Sequence, residues 1–93
     1  MKNLPKTNFE LGEMFAQQGR FTDALFRFRV TEFLQADYPL LWVNVGSCYF
    51  RMGRSAEAKS ALLKGLKQAQ QGKFSKNPPD LDAIQKFVDE LEE

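Results

Sequence analysis

Apolar side chains along the first seventy positions recur every three to four residues, and no segment sustains the period-two alternation of a half-buried strand. The pattern predicts helices over residues 5–18, 21–36, 39–52 and 55–71. Pro5 and Pro39 suit first-turn positions, and Gly19 and Gly53 suit the left-handed position that closes a helix. Residues 72–79, GKFSKNPP, form a turn-rich break. Beyond it, Asn77 can cap a last helix whose Leu81, Ile84, Val88 and Leu91, joined by Phe87, make one apolar stripe.

Two glycines stand inside the predicted helices, Gly12 and Gly46, where each costs roughly 0.5–1 kcal/mol relative to alanine. They belong to one pattern. Gly12, Phe15, Gly19-Arg20 and Ala24 are followed 34 residues later by Gly46, Tyr49, Gly53-Arg54 and Ala58, and Pro5 and Pro39 keep the same offset. The chain therefore contains an internal repeat. The small residues suit the line where the two helices of a unit approach most closely, with Trp42, Tyr49 and Leu62 in one unit and Phe15 and Phe28 in the other filling the space on either side.

The second unit, with Trp42, Val45, Gly46, Tyr49, Gly53, Ala58 and Leu62, and the first, with Leu11, Gly12, Phe15, Gly19, Ala24 and Phe28, resemble the tetratricopeptide repeat family. The resemblance implies an all-α fold of antiparallel helix-turn-helix units in a single domain: repeat 1 at residues 5–38, repeat 2 at 39–72, a linker at 73–79 and a C-terminal capping helix at 80–93. It also implies a protein-binding module whose concave groove is lined by Lys6, Phe9, Glu10, Glu13 and Gln17 of the first unit and Leu40, Val43, Asn44, Ser47 and Arg51 of the second. In the family, an asparagine at the place of Asn44 commonly holds the backbone or terminal carboxylate of an extended peptide. The full carboxylate clamp of chaperone-binding members is not matched, since Phe9 and Glu13 stand where it has lysine and asparagine. In architecture the chain is also similar to the type III secretion chaperones, which implies a cargo-holding role as an alternative. A self-assembling structural subunit is another.

A chain of 93 residues makes one domain with a thin core, which two units alone complete poorly. No apolar run approaches the roughly 20 residues of a membrane span, and the start lacks a signal-peptide centre, so a soluble, cytoplasmic protein is expected. With no histidine and one cysteine, Cys48, the common zinc constellations are excluded and no cofactor is expected. Cys48 reads as a packed thiol. Glu10 and Glu13, one turn apart, read as a solvated face, so no enzymatic activity is expected. Residues 1–79 carry twelve basic and six acidic side chains, and residues 80–93 one and six. The basic stretch 51–76 offers a nucleic-acid binder as a further alternative, but its aromatics follow the repeat and do not interleave with the cations.

The second helix carries one further signal. With Ala24 facing inward, Phe28 and Thr31 fall within about 40° of it, whereas Phe26, Val30 and Phe33 cluster at about 180–240°. This second stripe, flanked by Arg27, Arg29 and Asp37, is either a convex interface for a homo-oligomer or a hydrophobic partner, or is buried by rotation of the helix.

Overall fold

Asn3 opens the first helix by accepting a hydrogen bond from the backbone N–H of Lys6 at 3.0 Å, and Pro5 occupies its first turn, where no N–H is needed. In the computed structural model, which describes residues 3–70 together with Gln85, Lys86, Asp89 and Glu90, four helices follow in order: α1 Leu4–Gln17, α2 Phe21–Leu34, α3 Leu41–Arg51 and α4 Ser55–Gln70. All are α-helical, and the described residues contain no strand. The proposed break at 72–79 lies outside the described residues. So does the capping helix at 80–93, except at those four positions, which are helical and exposed.

α1 packs on α2 and α3 on α4 as two antiparallel hairpins, and the second hairpin stacks on the first through α2 with α3 and α1 with α3. The all-α repeat organisation read from the sequence is therefore the organisation of the fold. Within each hairpin the interior glycine has a steric cause. A Cβ on Gly12 would lie 2.4 Å from Cε1 of Phe28, and one on Gly46 would lie 2.7 Å from Cγ of Leu62 and 3.3 Å from the carbonyl oxygen of Ala58. Phe28 and Leu62, 34 residues apart, fill the notches that the glycines leave. Ala24 and Ala58 are both wholly buried.

The repeat also holds at the corners. Gly19 and Gly53 both have φ +78°, and the N–H groups of Arg20 and Arg54 reach back to the carbonyls of Phe15 and Tyr49 at 2.9 and 2.8 Å. This is the Schellman closure of a helix, in which a left-handed residue lets the chain turn back on its own last carbonyls. Each arginine then lies over the aromatic ring beside it, Arg20 over Phe15 at 4.6 Å and Arg54 over Tyr49 at 5.8 Å. Each also pairs with an acid three residues on, Arg20 with Asp23 and Arg54 with Glu57.

The junction between units departs from expectation. The second helix stops at Leu34 instead of continuing to 36, and the third begins at Leu41, so Pro39 is not in its first turn. Tyr38 to Leu41 form a turn closed by Leu41 N–H to the Tyr38 carbonyl at 3.2 Å, with Leu40 at φ 66°, ψ 4°. Proline at the second place and a left-handed residue at the third define a type II turn. Pro39 spends its fixed φ there and the helix starts later. Leu40 is the only non-glycine residue with positive φ among the described residues.

Candidate protein-binding surfaces

With Gly12 and Gly46 facing their partner helices, Lys6, Glu10, Glu13 and Gln17 on α1 fall about 100–160° away, and Asn44, Ser47 and Arg51 on α3 fall in the same sector, while Leu40 precedes α3 at the left-handed corner of the turn. Glu10, Glu13 and Gln17 correspond to Asn44, Ser47 and Arg51 at the 34-residue offset, and α1 meets α3. Seven of the ten residues expected at the groove thus share one helical sector.

Val43 and Phe9 sit closer to the hairpin interior. Val43 is half-buried, and its Cγ2 would lie 3.6 Å from a Cβ on Gly65 of α4. Phe9 is only 7% exposed, its ring tilted against Phe28 at 5.6 Å and Tyr38 at 4.8 Å between centroids. Phe9 is therefore a core residue and offers no ring to a ligand.

Asn44 has a task inside the chain. Its Nδ2 donates to the Leu40 carbonyl at 2.9 Å, and its backbone N–H donates to the same oxygen at 3.0 Å. An amide has two N–H groups and an acceptor oxygen, so one N–H and the oxygen remain beyond this bond. Asn8 makes the same bond to Leu4 at 2.9 Å, and its oxygen accepts from Arg27 at 3.2 Å. That use explains why a polar residue stands at the position matching Trp42. Arg51, at the end of its row, lies with its guanidinium 4.8 Å from the centroid of Phe21 on α2.

Charge differs between the rows. Burial and then the neighbouring Glu10 push the Glu13 carboxyl above its ordinary range. Burial, followed by Glu10 and Glu13, likewise raises the Tyr38 hydroxyl. The α1 row is thus acidic towards Tyr38, and the α3 row ends in a cation. Burial raises the Cys48 thiol, with Arg51 opposing it more weakly, and the residue is buried. Among the described residues no cluster of three or more potential ligands could hold a metal ion. No helix among them is long and apolar enough to cross a membrane.

The opposite side of the molecule holds a cleft that the sequence did not suggest. About 330 Å³ in volume, it opens between α2 and α4 over α3, with Leu25 and Glu32 on one wall, Glu57 and Lys64 on the other, and Trp42 and Val45 below. Lys64 Nζ lies 4.3 Å from the Trp42 ring centroid, while the buried Trp42 Nε1 has no hydrogen-bond partner among the described residues. The one available signal was Glu32, a charged residue at a place where the repeat pattern favours an apolar one. On the outer face of α2, Phe26 and Phe33 are 61% and 89% exposed, while Val30 is half-buried. The stripe is not turned into the core.

The basic stretch is partly occupied within the chain. Arg51, Arg54 and Lys64 lie over aromatic rings, and Arg54 also pairs with Glu57. Lys73 and Lys76 lie outside the described residues. Comparison with protein-family models, with curated proteins and with solved structures finds no match.

Proposed function

We propose that the chain is a protein–protein interaction module of the tetratricopeptide-repeat kind, which holds a peptide or an extended segment of a partner protein against its α1/α3 face in an adaptor or assembly role. The observation that carries this reading is the pair of rows, Lys6-Glu10-Glu13-Gln17 on α1 and Asn44-Ser47-Arg51 on α3, on helices that meet. Such a face supplies donors and acceptors at helical spacing. Asn44 and Arg51 are seven residues apart, about 10 Å along the axis, which suits three or four residues of an extended segment. Acidic Glu10 and Glu13 opposite cationic Arg51 would fix the direction in which the segment lies.

Peptides selected from a random display library on the immobilised chain, then titrated in solution, test this reading. Saturable binding is expected, weakened tenfold or more by Asn44→Ala/Arg51→Ala. Gln17→Trp, a bulky change at an exposed position, should block it as well. Selected peptides that bind both folded variants as tightly as the parent chain would remove the α1/α3 face from consideration.

A further inference from the structure

Along α2, Thr22, Phe26, Arg29 and Phe33 follow one another at intervals of four, three and four residues, the spacing with which paired helices interlock. They occupy a sector of about 60° on the side of α2 away from Ala24. All four are exposed, and Arg29 makes no hydrogen bond or ion pair among the described residues. Beside the N-terminal end of this seam lies a groove of about 320 Å³, lined by Thr22, Leu25, Phe26, Arg29, Met52 and Arg54.

We propose that the seam is a homodimer interface in which α2 packs antiparallel against α2 of a second copy, about a twofold axis passing midway between Phe26 and Arg29. Thr22 and Phe33 are equidistant from that midpoint, as are Phe26 and Arg29. The rotation therefore seats each Phe33 at the partner's Thr22, in the groove beside it, and sets each Arg29 against the partner's Phe26. The Phe26 ring already carries Arg27, at 5.6 Å, and is 61% exposed, which leaves surface for the second guanidinium.

Self-complementarity is what selects a second copy as the occupant. A knob at one end of the seam matches a hole at the other, and a cation unpaired among the described residues lies one turn from an exposed ring; a twofold axis satisfies both at once. Parallel, in-register pairing would instead oppose Arg29 to Arg29. A seam of three turns falls in the small class of interfaces, below about 1,200 Å², so the dimer should dissociate on dilution.

Sedimentation equilibrium of the full chain over a wide concentration range tests the proposal. A monomer–dimer equilibrium is expected, with the dissociation constant raised tenfold or more by Phe33→Ser and, separately, by Arg29→Glu. Because both residues are exposed, the helical spectrum and the melting temperature at low concentration should stay unchanged. Asn44→Ala/Arg51→Ala should dimerise like the parent chain. In a Cys48→Ala background, Thr22→Cys/Phe33→Cys should oxidise to a covalent dimer, since the two positions are three turns apart within one chain. A chain that is monomeric throughout the range, or a dimer indifferent to both substitutions, would overturn the proposal.

Discussion

Gly12 and Gly46 were legible in the sequence as places where something must come close, and the side chains of Phe28 and Leu62 supply the reason. Alanine is the better helix former by about 1 kcal/mol, yet Gly12→Ala should lower stability by about 1–3 kcal/mol, because its methyl group would overlap the Phe28 ring. Denaturant melts would check this, and an unchanged or raised midpoint would mean that the ring yields freely. Glu13 makes a second residue-scale test. Its carboxyl is held above the ordinary value of 4.5, so the charged form is disfavoured in the folded state. The stability tied to it is fully present below the unfolded value and is lost as pH rises through the folded one. Glu13→Gln should therefore melt higher than the parent chain at pH 7 and alike at pH 4. Equal melting at both values would show that the side chain is well solvated in the folded protein. The placement of Phe9 could not be read in the same way. Its spacing puts it at the edge of the groove sector, and only the position of Tyr38, set by the inter-unit turn, closes the core over it.

Helix boundaries were legible where a local signal acts alone and missed where two compete. The corners at Gly19 and Gly53 follow from glycine's access to positive φ and are identical in both units. At the unit junction, Pro39 satisfies either a helix start or the second place of a type II turn, and the turn forms there, closed by Leu41 N–H on the Tyr38 carbonyl with Leu40 left-handed. The left-handed conformation of Leu40 costs roughly 1–2 kcal/mol, from which glycine is free, while glycine's greater freedom in the unfolded chain gives back part of that gain. Leu40→Gly should accordingly leave stability unchanged or raise it by up to about 1 kcal/mol in a thermal or denaturant melt. A loss greater than that would mean that the Leu40 side chain contributes more through packing than its backbone costs. The corner arginines are a contrasting case at the same scale. Arg20 and Arg54 form exposed pairs with Asp23 and Glu57, so Arg20→Ala and Arg54→Ala should each cost under about 1 kcal/mol.

At the scale of the whole molecule, the two hairpins create two faces of different character. The α1/α3 face is polar and follows the repeat, so its rows could be read from the 34-residue offset. The α2/α4 side combines a cleft, an indole N–H unpartnered among the described residues and exposed phenylalanines. A helical wheel gave the outward direction of Phe26 and Phe33, but the cleft depends on how far α2 and α4 are splayed over α3, which no single-helix periodicity encodes. The two faces allow a protein that binds a segment on one side and pairs with itself on the other. Amide chemical-shift mapping of a display-selected peptide on the isotope-labelled chain tests the central claim most directly. The expected result is a set of saturable shifts centred on Glu13, Gln17, Asn44, Ser47 and Arg51, with α2's outer face unmoved. Shifts confined to Phe26, Arg29, Phe33 and the α2/α4 cleft would contradict it and transfer segment binding to the other side of the molecule.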